Sequence, residues 1–395
     1  MSAAPTAEAI LALCGSGKIG EAERLLRAAR RSPQVAKMLA ALCLMQDRYQ
    51  DAIDALGERA AAALDAEAAN LQGVCHSLAG RYAQAGACYE AAISADPGYA
   101  DAYLNAGLTA FLLGRPEEKR LLHQWLRLTG PAIPAGAAAA SRARPRLADV
   151  TLCCVDTAYH DLAAEALRAS LAACDFGDAL FLSDRDCHVP GVRHVPVAPI
   201  RSTADYSNFM IHRLYEHIGT AFALVIQYDG FVLNGDRWDA AFCGYDYVGA
   251  PMRAGERLVV GNGGFSLRSS RLLQALHRDE QVRNYDARRG VSLEDVAISA
   301  TYRRRLEQAH GIRFAPPELA DRFAAGRAPP TRGCFGFHGL VHLVRLHEER
   351  FELPETAGEG IAVAFRARSP LGSIAANRVI EVSAPADVWA TPAAD

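Results

Sequence analysis

The sequence of 395 residues lacks any long apolar run. No stretch approaches the roughly 18 to 20 consecutive apolar residues that cross a bilayer, and the first 15 residues carry Glu8 but no basic segment typical of a signal peptide. The formal net charge is only -3, from 42 basic and 45 acidic residues. No general basic field therefore attracts nucleic acid or an anionic membrane. We expect a cytoplasmic protein with no membrane span and no nucleic-acid partner.

Cysteine pairs of the zinc-binding kind are also missing. The ten cysteines are scattered and show no repeated C-x-x-C spacing, which predicts small buried hydrophobic residues in a reducing compartment. Half of the residues are hydrophobic and 22% are charged, a composition that excludes general disorder. At about 150 residues per domain, the length predicts two to three domains.

Residues 1–128 are rich in alanine and leucine, poor in proline, and apolar at helical spacing, which predicts an all-α domain. A 34-residue unit beginning at residue 66 has the following residues at offsets 8, 20, 24, 27 and 32: Gly73, Ala85, Tyr89, Ala92 and Pro97. The next unit repeats Tyr103 at offset 4 and Gly107 at offset 8. This pattern resembles the tetratricopeptide repeat, most strongly over residues 66–99. Roughly three and a half helical hairpins of this kind predict a concave surface for a protein or peptide partner, or a scaffold or dimer surface.

The sequence changes character after this region. Residues 129–147 are rich in proline, glycine and alanine without an apolar period, which predicts a linker. Residues 148–350 alternate short apolar strands with amphipathic helical segments, so we expect an α/β domain with a Rossmann-like, mostly parallel sheet. In such sheets, ligands bind at the carboxyl ends of the strands. Residues 351–395 form a C-terminal extension in which we expect two short strands and no chemistry.

One predicted strand of the α/β domain ends in polar residues. The run FALVI is followed by Gln227, Tyr228 and Asp229. Because a run this apolar is buried on both faces, its terminal carboxylate arrives at the carboxyl edge of the sheet, where it can meet a hard divalent cation. The alternative is an aspartate that caps the next turn.

Further polar features follow along the same domain. Gly261, Gly263 and Gly264 surround Asn262 inside a strand-like run, which predicts a backbone that passes close to another group, or a β-bulge without a ligand. Glu294 and Asp295 begin a helix for which we expect Ser292 as the N-cap; acids there are also favoured by the helix dipole alone. His338 lies among aromatic residues and glycines, where a packed core histidine is the simpler interpretation.

Six sequence motifs of this domain occur together, in the order YSNFMI, VIQYDGFVLN, YDYVGAP, GNGGFSLRS, LEDVAIS and FGFHG. Over residues of about 148–345 they resemble a bacterial family of GT-A-like glycosyltransferases that is named only as a domain of unknown function and whose activity is itself inferred. The resemblance implies a GT-A-like fold and the transfer of a sugar from a nucleoside diphosphate to an acceptor hydroxyl.

The resemblance also implies roles for individual residues. It implies that the donor contacts Asp156, Thr157, Gln227, Asp229, Asn262, Gly263 and Gly264. Asp229 and His338 are the implied ligands of Mn²⁺ or Mg²⁺, Asp295 is the implied general base of an inverting transfer, and Glu294 is a second base or an acceptor contact. The usual Asp-x-Asp is replaced here by Gln227-Tyr228-Asp229, so we expect weak metal binding or none.

The acceptor and the activity are left open by the sequence. The first hypothesis is a transferase whose repeats recruit a protein or peptide acceptor, with a glycan acceptor as the alternative. The second is a non-catalytic interaction protein whose transferase-like domain binds a nucleotide sugar without turnover. A nucleotidyltransferase should carry a glycine-rich basic loop after its first strand, and VDTAYHDL contains none.

Overall fold

The structure, a computed structural model, describes residues 5–57, 65–115, 117–129, 144–254, 257–290, 293–326, 330–348 and 361–380. The chain divides into two compact units. One contains the helices before residue 130 together with residues 362–380, and the other contains the described residues from 144 to 348.

The N-terminal unit is helical, as its apolar spacing predicts. Its helices are α1 (Ala7–Gly15), α2 (Ile19–Ala28), α3 (Pro33–Leu44), α4 (Tyr49–Leu56), α5 (Ala66–Leu78), α6 (Tyr82–Ala95), α7 (Ala100–Leu112) and α8 (Glu117–Thr129). Helices α5 and α6 form the two halves of the predicted 34-residue unit. Asp65 caps α5 by accepting a hydrogen bond from the backbone N–H of Ala68.

Glycines of the repeat permit close approach of the paired helices. A Cβ added at Gly73 would lie 2.7 Å from Cδ1 of Tyr89, inside van der Waals contact, so the aromatic ring occupies the space that this glycine leaves. The Tyr89 hydroxyl shares a 2.9 Å hydrogen bond with the hydroxyl of Ser77. A Cβ added at Gly107 would likewise lie too close to the side chain of Leu122. The glycine at offset 8 of each unit therefore makes room for a side chain of the helix that follows it.

The C-terminal extension contributes a β-hairpin to the helical unit. Its strands are β11 (Ile361–Ser369) and β12 (Gly372–Ile380), which pair with each other. The sequence predicts two short strands here, but it does not predict that they pack with the helices. Residues 351–360 and 381–395 of the extension lie outside the described residues, as do residues 130–143 of the predicted linker.

The second unit is the predicted α/β domain. Its strands are β1 (Arg146–Val155), β2 (Asp175–Ser183), β3 (Arg193–Pro196), β4 (Phe222–Ile226), β5 (Tyr247–Gly249), β6 (Pro251–Ala254), β7 (Arg257–Val260), β8 (Phe265–Ser269), β9 (Ala324–Ala325) and β10 (Gly336–Phe337). Its helices are α9 (His160–Ala173), α10 (Thr203–His212), α11 (Ser270–Arg278), α12 (Glu280–Arg283), α13 (Glu294–Val296), α14 (Arg303–His310), α15 (Pro317–Phe323) and α16 (Leu340–Glu348).

The main sheet has the strand order β3-β2-β1-β4-β8-β5. The pairs β3/β2, β2/β1 and β1/β4 are parallel, whereas β8 pairs antiparallel with both β4 and β5. The strand order changes direction between β1 and β4, because the chain runs outward from β1 to β3 and then returns to β4 on the other side. Such a switch point opens a crevice at the carboxyl ends of the two strands.

The central strands are apolar because both of their faces are covered. Cys153, Leu180 and Val225 belong to one buried cluster that also includes Met210 from α10 and Leu273 from α11. Among the described helices, none is long and apolar enough to cross a membrane. The N-cap that we predicted at Ser292 lies outside the described residues.

Candidate active site

The carboxyl ends of β1 and β4 lie side by side in the sheet, and acidic residues follow both strands. Asp156 follows β1, and Asp229 follows β4 after Gln227 and Tyr228. Asp229 is only 4% exposed. Burial raises the pKa of the Asp156 carboxyl, and the nearby carboxylate of Asp229 acts in the same direction. The two acids therefore share one poorly solvated edge of the sheet.

Asp156 and Thr157 both organise the loops of this edge. Oδ1 of Asp156 accepts hydrogen bonds from the backbone N–H groups of Ala158 and Tyr159, at 2.8 and 2.6 Å. The Thr157 hydroxyl donates to the carbonyl of Ile200 at 3.0 Å and accepts from its N–H at 2.8 Å. These bonds give both residues a place in the fold without a ligand. Their contact with a nucleotide stays a prediction.

The imidazole of His338 lies against Gln227 and Asp229, although these residues are more than 100 positions apart in sequence. His338 Nε2 is 3.1 Å from Oε1 of Gln227 and 3.3 Å from Oδ1 of Asp229. The backbone supports this arrangement, because the N–H of Gly339 donates to the carbonyl of Asp229 at 3.0 Å. A Cβ at Gly230 would lie 2.7 Å from the carbonyl oxygen of Phe337, so glycine permits the close approach of the two loops.

The glycine pair lies between this imidazole and the Glu-Asp pair. A Cβ at Gly264 would be 2.5 Å from Cε1 of His338 and closer still to its Nε2. A Cβ at Gly263 would be 3.0 Å from Cβ of Asp295 and closer still to Oε1 of Glu294. The close approach predicted for this loop therefore exists, and its partners are side chains of the protein itself. Oδ1 of Asn262 accepts a hydrogen bond from the N–H of Gly264 at 3.1 Å, which holds the loop in this shape.

Glu294 is turned into the interior and forms an ion pair with Arg268. The guanidinium of Arg268 is fully buried, and its Nη2 lies 3.0 Å from Oε1 of Glu294 and 3.2 Å from the carbonyl of Gly263. The N–H of Glu294 donates to the hydroxyl of Ser207 at 3.2 Å. Burial, and then the adjacent Asp295, raise the pKa of Glu294 against the opposing pull of Arg268. Glu294 therefore anchors the glycine loop from within.

Asp295 points toward the glycine loop from a more exposed position. Its Oδ2 lies 3.4 Å from the N–H of Gly263, and its Oδ1 accepts a hydrogen bond from the N–H of Val296 at 2.8 Å. A π-helical turn over Ala297–Thr301 follows directly. Such turns interrupt the regular helical ladder and are frequent at functional sites. The two adjacent acids thus have different surroundings, one inward and one toward the loop.

The predicted metal ligands form a small donor set. In the parts of the chain that the structure describes, no group of three or more His, Cys, Asp and Glu side chains is placed to hold a metal ion. Asp229 and His338 supply two donors, and the amide oxygen of Gln227 adds a third. Neighbouring ligands of a cation about 2.1 Å away lie roughly 3 Å apart, and the separations here are 3.1 and 3.3 Å. These are also the distances of direct hydrogen bonds among the three side chains, and a donor set with a single carboxylate is that of a weak site at most.

Three residues of the site were not assigned roles from the sequence. Arg268 lies in the fully buried strand β8, Ser207 lies in α10, and Tyr206 precedes Ser207. Burial, and then the charge of Glu294, raise the pKa of the Tyr206 phenol well above its usual range. An arginine within the strand-like run that follows the glycine loop is the signal that could have found the ion pair, because a guanidinium buried in such a strand requires a partner.

Comparison with protein families matches the centre of this unit. Residues 191–338 match the model of a family described as a protein of unknown function, DUF5672. The match covers less than half of the chain. It includes the residues from Gln227 to His338 that surround the glycine loop, and it leaves out Asp156 and Thr157. Comparison with curated proteins finds no match.

Solved structures similar to this chain include two proteins named MamA and YrrB. One MamA crystal structure is 28% identical, covers 31% of this chain and 78% of its own, and has a TM-score of 0.28. A structure titled as YrrB, a TPR protein with an unusual peptide-binding site, is 24% identical over 30% of this chain and 65% of its own, with a TM-score of 0.28. MamA from Desulfovibrio magneticus RS-1 is 18% identical, covers 31% of this chain and 71% of its own, and has a TM-score of 0.27. TM-scores this low do not establish a shared fold, and the helical hairpins are instead defined by the packing of their own helices.

Proposed function

We propose that the α/β unit is a glycosyltransferase with a GT-A-like fold that takes a nucleoside-diphosphate sugar, and that the helical unit recruits a protein or peptide acceptor. One observation supports this more than any other. The backbone of Gly263 and Gly264 lies between the His338 imidazole with its two partners and the Glu294–Asp295 pair. This arrangement is adjacent to the switch point of the sheet, where α/β proteins bind nucleotides.

Residues on the two sides of the glycine loop would have different roles in such a transfer. Asp229, His338 and Gln227 would hold Mn²⁺ or Mg²⁺, which when bound supplies positive charge to a diphosphate leaving group. Asp156, Thr157 and Asn262 lie on loops that would border the nucleotide and the sugar. Because the donor set contains one carboxylate, the cation is weakly held or dispensable.

Asp295 is the proposed general base for the acceptor hydroxyl. Its carboxylate is less buried than that of Glu294 and is not ion-paired with Arg268, so it is the better placed of the two to take a proton. Attack from its side, opposite the leaving group, predicts inversion at the anomeric carbon. Glu294 holds the loop and is the less favourable base, because its carboxylate is engaged by Arg268 at 3.0 Å.

A non-catalytic interaction protein is the second candidate, with a domain that binds a nucleotide sugar without turnover. The observation that favours it is the replacement of an acid by Gln227 in a site where the described residues form no larger cluster of metal-ligating side chains. The hydroxyl of Thr157 is also engaged by the loop at Ile200. For either candidate we propose a cytoplasmic location, and the acceptor of the transferase could also be a glycan.

Release of nucleoside diphosphate tests the catalytic proposal. The protein is incubated with a panel of nucleotide sugars and Mn²⁺, and the released diphosphate is followed with a coupled assay. We expect release from at least one donor, a fall of about a hundredfold or more in Asp295→Asn because a general base supplies roughly that factor, and a large fall in Asp229→Ala. Asp236→Asn, which removes an exposed acid after the same strand, is the matched control.

The outcomes separate the two candidates. Release that is unaffected by Asp229→Ala and Asp295→Asn would remove the catalytic assignment. Binding of a nucleotide sugar, seen as a thermal shift that Asp229→Ala abolishes, without release from any donor would favour the interaction protein. Product stereochemistry, read from the anomeric proton by NMR, tests the predicted inversion independently.

A further inference from the structure

A strand of the C-terminal extension is held by two buried asparagines of the helical unit. Asn70 in α5 and Asn105 in α7 are both 0% exposed. Oδ1 of Asn105 accepts a hydrogen bond from the N–H of Arg366 at 2.8 Å. The carbonyl of Arg366 accepts bonds from Nδ2 of Asn105 at 2.6 Å and from Nδ2 of Asn70 at 2.8 Å. Both backbone groups of one residue in β11 are therefore bound by side chains of the repeats.

The two asparagines also bond to each other. Nδ2 of Asn105 donates its second hydrogen to Oδ1 of Asn70 at 2.8 Å, and the two residues are 35 positions apart, about one repeat. A buried side-chain amide costs free energy unless it is hydrogen-bonded. Since the helical backbone already bonds to itself, the pair finds its remaining partners in the backbone N–H and C=O of one residue of an extended chain. The surface that the two residues form, which we call the asparagine groove, is thus complementary to a peptide strand.

A basic side chain two positions after Arg366 adds selectivity to these backbone bonds, and the strand between them is buried. Phe365 is 0% exposed and Ala367 is 1% exposed. Nε of Arg368 lies 3.1 Å from Oδ2 of Asp101, and its guanidinium lies over the ring of Tyr99 at 5.6 Å. The helical unit therefore binds the backbone of Arg366 and, two positions later, a basic side chain.

We propose that the hairpin over residues 361–380 is an intramolecular ligand of the asparagine groove, and that a partner peptide binds by replacing β11. The partner is an extended segment with a basic residue two positions after the residue whose backbone the asparagines bind, as Arg368 follows Arg366. This inference rests on the recruiting part of the proposed function and requires no turnover. The tethered strand competes at high effective concentration, so the groove accepts only partners that match or exceed its own segment.

Hydrogen exchange of the full-length protein tests the occupancy without any substitution. Amides of residues 364–369 are expected to exchange slowly, and an excess of the synthetic peptide IAVAFRARSPLGSI, the sequence of residues 361–374, is expected to accelerate their exchange by displacing the strand. The same peptide methylated on the backbone nitrogen of Arg366 cannot donate to Asn105, so it should leave the exchange unchanged. Fast exchange without peptide, or equal effects of the two peptides, would overturn the proposal.

Fluorescence polarisation with the labelled peptide measures the groove itself. Full-length Phe365→Asp places a charge in a buried position of the tethered strand, so it should bind the peptide about tenfold or more tightly than the wild type. Adding Asn105→Leu should remove at least about tenfold of that affinity, because it deletes bonds to both backbone groups. Thr109→Val, which removes a buried hydroxyl from the same helix, is the matched control and should bind as before.

Circular dichroism and slow exchange of α5 and α7 establish that each variant is folded. Equal affinities of the wild type and Phe365→Asp, or an Asn105→Leu variant that is folded and still binds, would contradict the proposed groove. These readouts use no donor sugar, so they succeed or fail independently of the transferase assay.

Discussion

Substitution of Gly264 by alanine tests the packing at the centre of the site. The new Cβ would lie 2.5 Å from Cε1 of His338 and closer still to its Nε2, whereas nonbonded carbons normally approach to about 3.5–4.0 Å. The ring must therefore move by about 1 Å or more. It cannot do so and also keep its separations of 3.1 Å from Gln227 and 3.3 Å from Asp229.

The expected cost follows from forcing an extra methyl group into a packed site. Overpacking of this kind costs about 1–3 kcal/mol, and each kcal/mol lowers the Tm of a unit of this size by about 2–4 °C. Calorimetry of Gly264→Ala should show this fall, and the Mn²⁺ concentration needed for half-maximal diphosphate release should rise. Gly219→Ala is the matched control, because no atom lies within 4 Å of its added Cβ and such exposed changes stay within about 0.5 kcal/mol.

A clear result would refute this reasoning. If Gly264→Ala unfolds at the same temperature as Gly219→Ala and keeps the wild-type metal dependence, His338 does not pack on this glycine. The proposed donor set would then be wrong as well, because it depends on the same position of the ring.

Three further predictions concern stability measured by urea denaturation. Gly73→Ala should destabilise the helical unit by about 1–3 kcal/mol because its Cβ meets an aromatic ring, whereas Gly86→Ala, with nothing within 4 Å in a helix, should stabilise it by about 0.5–1 kcal/mol. Arg268→Met should cost about 3–5 kcal/mol because it leaves Glu294 without its partner in the interior, and adding Glu294→Gln should recover part of that loss. Burial lowers the pKa of His342 to about 4. The neutral imidazole therefore stabilises the fold above the unfolded-state pKa of about 6.5, and this stabilisation is lost as the pH falls toward 4. The free energy of unfolding should drop by about 2 kcal/mol between pH 7 and pH 5, and His342→Gln should remove this dependence.

Local sequence pattern predicts much of the α/β unit. The apolar run before Gln227 forms β4 over Phe222–Ile226, and one of the amphipathic segments forms α9. These elements follow from hydrophobic periodicity, which acts over a few residues. The position of Asp229 at the carboxyl edge then follows from the direction of parallel strands. The α/β class with a mostly parallel sheet was therefore accessible from the sequence.

The groups that lie close to the glycine loop could not be predicted in the same way. The glycines at 263 and 264 indicate that something lies near the backbone, and the resemblance implied a donor sugar. The structure identifies protein side chains, one from residue 338 and one from residue 294. A glycine reports that space is needed, but it does not identify the occupant, which depends on contacts between distant parts of the chain. Glu294 shows the same limit, because only the buried Arg268 explains its inward orientation.

The sequence contains a local indication of the asparagine groove. Helix α5 is buried on most of its surface and α7 likewise, so an asparagine inside each is a polar group in an apolar environment. Satisfying such an amide requires partners for its two N–H donors and for its carbonyl oxygen, and the interior of a helix has no free backbone N–H to offer. A pair of asparagines one repeat apart, each within an apolar helical pattern, therefore indicates that an additional backbone segment binds there. Which backbone binds depends on tertiary contacts that the sequence does not show. In the structure it is the backbone of residue 366, through both its N–H and its C=O.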